Sequence, residues 1–212
     1  MRYLFIHDHL FKTQGECSGH IMIVWLAGTP GVGKTTVGRV LSRRLGVSFA
    51  DLPELVKMTG LGEYDAESDS IMVTAGTVRR IVERHVGGDA VLCSHVVVKI
   101  PRKKVVCIVL RLNPLVLIRR LKMRGYSSVK VLENVESEFV GTVYLDAVRA
   151  LGRHRVYQLN VTGLRAGVAA GRCLRIVEGG WRGDDVDWLR DLPHAQLERL
   201  LSFLATSRLG TL

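Results

Sequence analysis

Length, composition and charge set the first limits on this chain. Its 212 residues suffice for one well-packed domain and are too few for two large ones. Hydrophobic residues at 47% and charged residues at 24% are ordinary for a globular protein, and no apolar run is long enough to cross a bilayer, which excludes a membrane-spanning protein and predicts no membrane partner.

The first 20 residues are mixed and polar, without a clear period. They predict an N-terminal extension outside the fold, with a single domain over residues 21–212. Their apolar core is too short for a signal peptide. The four cysteines lie far apart and form no C-x-x-C pair, which predicts reduced thiols and a cytoplasmic protein.

Residues 28–36, Gly-Thr-Pro-Gly-Val-Gly-Lys-Thr-Thr, fit the pattern G-x-x-x-x-G-K-[ST] in full. Residues 21–27 before them predict a buried strand. Apolar residues at helical spacing follow them, and Gly46 predicts the helix end. Strand, glycine loop and helix form the context of a phosphate-binding P-loop. The alternative, a chance glycine turn before a helix, does not explain both flanks.

The residue types in this loop suit nucleotide phosphates. Glycines let the backbone curl so that successive N–H groups point into one cradle, and the helix N-terminus behind it adds a positive dipole end. Lys34 is predicted to reach the β- and γ-phosphates as a catalytic cation, and the Thr35 hydroxyl is predicted to hold Mg²⁺. The predicted ATP-binding set in the loop is Gly28, Gly31, Gly33, Lys34, Thr35 and Thr36.

The remaining elements are predicted in chain order. A short strand over 47–50 is followed by a helix that Asp51 caps at its start and by a polar segment over 60–69. A helix through 78–85 ends at two glycines, and buried strands follow over 90–94 and 105–110. Helices are predicted from 113 to 125, as one long amphipathic helix through 132–147, over 164–177 and near 197–204. A last strand covers 155–161.

This alternation predicts an α/β fold, a three-layer P-loop NTPase sandwich with a parallel five-stranded sheet and helices on both faces. Ligands of such sheets bind outside the carboxyl ends of the strands. We therefore expect the P-loop, the residues after Ser94 and those after Arg111 to surround one crevice.

The class of P-loop protein follows partly by exclusion. The chain has no N-K-x-D motif, which a GTPase uses to read its base, and it is too short for a large motor ATPase. Small nucleotide kinases remain. They transfer a γ-phosphoryl group to an acceptor held by an inserted segment, while a mobile lid excludes water.

Three further motifs carry a resemblance. They are L-R-x-x-P within 109–114, L-x-x-R-G-Y within 119–127 and K-x-x-E-N-x-x-x-E within 130–138. In this order they resemble the adenylate kinase isoenzyme 6 family of archaea and eukaryotes, over about residues 22–188. The resemblance implies a broad-specificity nucleoside monophosphate (NMP) kinase that uses Mg-ATP and AMP, with NMP-binding and lid segments. It also implies ATPase activity and a role in late maturation of the small ribosomal subunit.

The resemblance also implies residue roles. Arg124 of R-G-Y corresponds to the lid arginine that stabilises the transferring phosphoryl group and binds ATP. The alternative is an exposed arginine near a helix end. Lys57 falls where the family has a basic residue facing the monophosphate, although an ordinary surface lysine is the alternative, and Tyr64 and Asp65 match its acceptor segment. Arg119 and Arg120 are interpreted as solvated.

His95 is the sharpest candidate outside the P-loop. It ends a predicted strand over the crevice, where it can orient a water or the acceptor phosphate as a catalytic residue. A satisfied core histidine is the alternative. Cys93 stands where the family usually has an acid, and Thr74 where an Asp is common. We therefore expect weaker metal handling than in relatives, unless acids within residues 65–69 compensate.

The net charge of +10 exceeds what one phosphate site requires and makes RNA a reasonable partner, with a basic solvated surface as the equal alternative. With the resemblance, it predicts contact with small-subunit rRNA and a ribosomal protein. The predicted RNA-facing patch, beside the active site, is Lys99, Arg102, Lys103 and Lys104. Two other functions stay open, namely a ribosome-assembly ATPase with incidental kinase activity and a small-metabolite kinase.

Overall fold

The computed structural model describes residues 22–65, 70–101 and 104–209. The predicted N-terminal extension, and with it the domain boundary after residue 20, lies outside these ranges. So do Arg102 and Lys103. Within the described ranges, no helix combines the length and the hydrophobicity that crossing a bilayer requires.

Five parallel strands form the central sheet, which confirms the predicted five-stranded parallel sheet. The strands are β1 (Met22–Ala27), β2 (Ser48–Asp51), β5 (Ala90–Cys93), β6 (Lys104–Arg111) and β7 (Val156–Asn160). Their order across the sheet is β2-β5-β1-β6-β7. The antiparallel pair β3 (Glu63–Asp65) and β4 (Ser70–Met72) stands apart from it.

Helices connect the strands and cover both faces of the sheet. They are α1 (Lys34–Leu45), α2 (Leu52–Thr59), α3 (Ala75–His85), α4 (Pro114–Met123), α5 (Ser128–Val140), α6 (Thr142–Leu151), α7 (Ala166–Val177), α8 (Trp188–Asp191) and α9 (His194–Leu209). The segment of α2, β3, β4 and α3 lies between β2 and β5. Residues 124–127 join α4 to α5.

Two apolar layers sandwich the sheet because successive side chains of a strand point to opposite faces. In β1, Met22, Val24 and Leu26 pack with α1, α4, α5 and α7 on one face. Ile23 and Trp25 pack with α2, α3 and α6 on the other. All six residues of β1 are buried, as the continuous apolar run predicts for a central parallel strand.

Two sequence predictions fail at particular residues. The helix predicted through 132–147 is two helices, because Gly141 adopts a left-handed conformation (φ 75°) that ends α5 and starts α6. The polar segment 60–69 was predicted without strands, yet it contains β3. Three-residue strands are too short to produce a readable alternation.

Candidate active site

The P-loop turns sharply between β1 and α1, and its first glycine explains how. Gly28 has φ 138°, and a Cβ there would lie 2.6 Å from the carbonyl oxygen of Leu110 on β6. Only glycine therefore lets the loop pass this close to the neighbouring strand. Gly31 and Gly33 also have positive φ. The predicted loop residues thus lie together at the carboxyl edge of the sheet.

Lys34 is the first residue of α1, and its ammonium is held over the loop. Its Nζ donates hydrogen bonds to the carbonyl oxygens of Gly28 at 2.7 Å and Thr29 at 3.0 Å. Part of the side chain is open to solvent, but protein surrounds the ammonium. This burial lowers the pKa of Lys34 to about 8, opposed by the negative charges of Asp51 and Glu138.

The start of α1 offers backbone donors to an anion. Gly33 caps the helix without a side-chain hydrogen bond, and the first turn holds no acidic residue. Such an N-terminus attracts phosphate through its free N–H groups and its dipole. Arg120 of α4 adds positive charge here, since its Nη1 donates to the carbonyl oxygens of Gly31 at 3.4 Å and Val32 at 3.2 Å. The interpretation of Arg120 as a solvated residue is therefore wrong.

A carboxylate lies beside Thr35, although the sequence pattern points to none there. The Thr35 hydroxyl donates a hydrogen bond to Oδ2 of Asp51 at 2.8 Å. Asp51 ends β2 directly beside Cys93 of β5, in parallel register. Asp51 on the neighbouring strand β2 thus supplies the carboxylate that is absent at position 93. The sequence signal at Asp51 was interpreted only as a helix cap.

Cys93 itself is a buried neutral thiol. Burial, followed by the charge of Asp51, raises its pKa to about 12. Its Sγ donates to the carbonyl oxygen of Lys34 at 3.4 Å and so ties β5 to the start of α1.

His95 follows β5 at the same edge of the sheet. The hydroxyl of the buried Ser94 accepts a hydrogen bond from the N–H of Val96 at 2.9 Å, which shapes the turn around His95. The imidazole has open surface, and protein on its remaining sides lowers its pKa, with the charge of Lys34 as the second cause. His95 is therefore near Lys34 and neutral at pH 7.

A cleft of about 430 Å³ opens beside the P-loop, and His95 does not line it. The loop and α1 form one wall, α4 forms a second, and the chain from Val161 into α7 forms a third. Arg124, at the end of α4, lines this cleft together with Gly33 and Thr36. Arg124 also lowers the pKa of Lys34, which indicates that the two cations are close. The expected crevice thus includes the P-loop and the residues after Arg111, whereas His95 and Asp51 lie outside the cleft lining.

The predicted NMP-binding residues are Lys57, Tyr64 and Asp65, and they lie on α2 and β3. Lys57 is exposed on α2, and among the residues that the structure describes no ion pair involves it. Tyr64 and Asp65 lie on β3, opposite Ile71 and Ser70 of β4, and their side chains lie outside the description. All three belong to the segment inserted between β2 and β5.

Comparison with known proteins decides the family. Residues 24–141 match the family model described as an AAA domain. The chain is 36% identical over 170 residues to the "Putative adenylate kinase" of Thermococcus onnurineus, an alignment covering 79% of this chain and 91% of that protein. It is 35% identical over 173 residues to the protein of the same name from Pyrococcus furiosus, covering 80% and 92%.

The chain belongs to this adenylate kinase-like family. The fold of the adenylate kinase-like chain also matches solved P-loop kinases. Shikimate kinase from Bacteroides thetaiotaomicron aligns with 74% of this chain and 99% of its own, with a TM-score of 0.50 and 17% identity. At that identity the likeness concerns the fold alone. Within the adenylate kinase-like family, the narrower isoenzyme 6 assignment stays a prediction.

Proposed function

We propose that this protein is a broad-specificity NMP kinase that transfers the γ-phosphoryl group of Mg-ATP to AMP. The observation that carries the proposal is the Lys34 ammonium. It lies over the P-loop at the N-terminus of α1, between a cleft that contains Arg124 and the edge that carries Asp51 and His95. The homology to proteins named adenylate kinases supports the same activity.

On the donor side, the free N–H groups at the start of α1 bind phosphate oxygens, and Lys34 adds a positive charge. Two of its three N–H bonds point to loop carbonyls, which leaves one for phosphate. Arg124 neutralises charge that develops on the transferring group. Thr36 and the apolar wall of the cleft bound the rest of the nucleotide.

Thr35 and Asp51 fit Mg²⁺ because the ion prefers hard oxygen ligands and keeps several waters beside one or two protein groups. The Thr35 hydroxyl would bind the ion directly and Asp51 would hold one of its waters. When bound, the ion neutralises charge on the β- and γ-phosphates.

In the transfer step, an oxygen of the AMP phosphate attacks the γ-phosphorus as the bond to the β-phosphate oxygen breaks, which gives two molecules of ADP. The attacking phosphate dianion has no proton to lose, so no general base is required. A neutral His95 suits this chemistry as a hydrogen-bonding group that orients the acceptor. Lys57, Tyr64 and Asp65, which belong to the inserted segment, are proposed to bind the nucleoside monophosphate.

The test is ADP formation from ATP with and without AMP. We expect turnover that depends on AMP, and a folded Lys34→Ala protein without it, since Lys34 is the charge that accompanies the γ-phosphate. Equal ADP formation with and without AMP would identify an ATPase instead. Near-normal activity of Lys34→Ala would remove the P-loop assignment.

A second function is favoured by the charge of +10 and the resemblance. We propose that ATP hydrolysis by the same site acts in late maturation of the small ribosomal subunit, through contact with a ribosomal protein and rRNA in the cytoplasm. Stimulation of ATP hydrolysis by small-subunit particles, without AMP, is the expected sign of this role. Turnover that particles leave unchanged at low salt contradicts it.

A further inference from the structure

A buried ion pair lies directly beneath the P-loop. Arg111 ends β6 and Glu138 lies on α5, with 3% and 1% of their surfaces exposed. Arg111 Nε donates to Oε1 of Glu138 at 2.9 Å, and Nη2 donates to the carbonyl oxygen of Glu138 at 2.7 Å. A buried pair of this kind is stable only if its remaining polar atoms also find partners.

The partners of Glu138 divide between its two oxygens. Oε1 accepts from Arg111, from the Leu112 N–H at 3.1 Å and from Nε1 of Trp188 at 3.0 Å. Oε2 accepts from the hydroxyl of Thr29 at 2.8 Å. Oε1 thus joins α5 to the end of β6 and to α8, whereas Oε2 holds the P-loop.

Thr29 connects this pair to Lys34. Its side chain is 1% exposed and points down to Glu138, 109 residues away in sequence. Its carbonyl oxygen accepts the Lys34 ammonium at 3.0 Å and the Val32 N–H at 3.4 Å. The Thr29 hydroxyl therefore fixes the same residue whose carbonyl orients Lys34.

We propose that Glu138 is a positioning residue of the phosphate site, acting through the Thr29 hydroxyl on the Gly28 and Thr29 carbonyls that hold Lys34. The inference rests on the proposed phosphoryl transfer. The Arg111–Glu138 pair joins β6 to α5 in any case. The added claim is that its second oxygen sets the orientation of the P-loop lysine.

The test compares Thr29→Val with Thr29→Ser. Valine keeps the shape of threonine without the hydroxyl, and serine keeps the hydroxyl. Mg-ATP affinity, measured by calorimetry, is the readout because it does not depend on the acceptor. We expect Thr29→Val to weaken binding by about tenfold, the effect of losing one hydrogen bond to a charged group. Thr29→Ser should bind Mg-ATP within about twofold of the wild type.

The melting temperature separates positioning from simple support. If Glu138 only supported the fold, ATP affinity would fall in step with the melting temperature whichever of its contacts is removed. Trp188→Phe is the matched control, since it removes a donor to Oε1 and leaves the P-loop contact. We expect it to lower the melting temperature but to leave ATP affinity unchanged.

Three outcomes overturn the proposal: wild-type affinity in Thr29→Val, equal losses in Thr29→Val and Trp188→Phe, and a loss in Thr29→Ser as large as in Thr29→Val. Thr29→Ala is the second hydroxyl-free variant if Thr29→Val does not fold. Failure of the proposed kinase function is recognised separately, as wild-type protein that binds Mg-ATP but forms no ADP with AMP.

Discussion

The ammonium nitrogen of Lys34 meets two opposing requirements. It must be buried enough to act on phosphate without competition from water, and burial disfavours its charge. The structure resolves this with two carbonyl acceptors and with carboxylates nearby, including Asp51 and Glu138, yet the pKa still falls to about 8. Near neutral pH the free protein therefore holds a charged lysine that deprotonates readily.

This shift predicts a pH profile. We expect kcat/KM for ATP, which reports the free enzyme, to fall above pH 8 by up to about tenfold per pH unit. Between pH 8 and 10.5 the unfolded chain binds more protons at this lysine than the folded one. This group's contribution to the free energy of unfolding therefore rises with pH. Activity falls there without unfolding, which a melting curve at each pH checks. A constant kcat/KM up to pH 9.5 contradicts the assignment.

Cys93 gives a second prediction at this scale. From the motif alone, an aspartate at position 93 should improve metal handling. The structure argues the opposite, because the residue is 1% exposed and lies in register with Asp51. A Cβ on Gly38 would lie 2.6 Å from Sγ, so α1 leaves little room for added atoms.

We therefore expect Cys93→Asp to lower the free energy of unfolding by about 2–4 kcal/mol, because it buries a carboxylate beside another. The Mg²⁺ concentration that gives half-maximal activity should not improve. Cys93→Ser, which keeps a small donor toward the Lys34 carbonyl, is the control and should lose less stability. Tighter Mg²⁺ dependence in a stable Cys93→Asp protein would show that Asp51 does not serve the metal.

The P-loop residues were predictable from sequence, whereas Asp51 and Arg120 were not. The loop is a local motif, and its spacing alone prescribes strand, turn and helix. Asp51 reaches Thr35 only because β2 pairs with β5, and Arg120 reaches the loop only because α4 packs across it. Hydrophobic periodicity gives no information about which strand lies beside which, so these contacts had no sequence signal.

At the scale of elements, Gly141 shows where periodicity misleads. Apolar residues at helical spacing continue on both sides of it, and this continuity predicted one helix. The left-handed backbone of Gly141 turns the chain between α5 and α6 and brings it against Arg111. A glycine within a helical pattern has two meanings, a tolerated interior position or a helix end, and sequence spacing does not separate them.

A pair of variants measures the role of this glycine. Gly46 and Gly141 both end helices with φ near 70°, but a Cβ at Gly46 meets nothing within 4 Å, whereas one at Gly141 lies 3.2 Å from Arg111 Nη1. We expect Gly46→Ala to cost about 1–2 kcal/mol for the left-handed backbone and Gly141→Ala to cost more, since the buried guanidinium must also shift. Chemical denaturation measures both. Equal losses would show that Arg111 adapts freely.

At the scale of the whole molecule, the sheet separates two surfaces. The P-loop, Asp51 and His95 lie at the carboxyl edge of the strands. Lys104, by contrast, begins β6 opposite Met22 of β1, at the amino edge. Six residues of strand span about 20 Å, so the prediction that the basic patch adjoins the active site is wrong for Lys104.

This separation shapes the last prediction, that single-stranded small-subunit rRNA binds through the charges of Lys104 and its basic neighbours. Lys99 and Lys104 are exposed, and Arg79 of α3 donates to the Lys99 carbonyl at 3.2 Å, which adds a third positive charge. Replacing Lys99 and Lys104 by Ala should lower the log–log salt slope of RNA binding by about 1.4, at roughly 0.7 for each phosphate neutralised.

The alternative is a solvated basic surface. The control replaces Arg182 and Arg199, which are exposed and lie after α7 and on α9, two helices that pack on the other face of the sheet from α3. It should leave the slope unchanged. AMP phosphorylation should survive in both variants, because none of these residues lines the cleft beside the P-loop. Equal slopes in the two variants would exclude Lys99 and Lys104 from the RNA surface, and no binding by the wild type at any salt concentration would leave a metabolic nucleotide kinase.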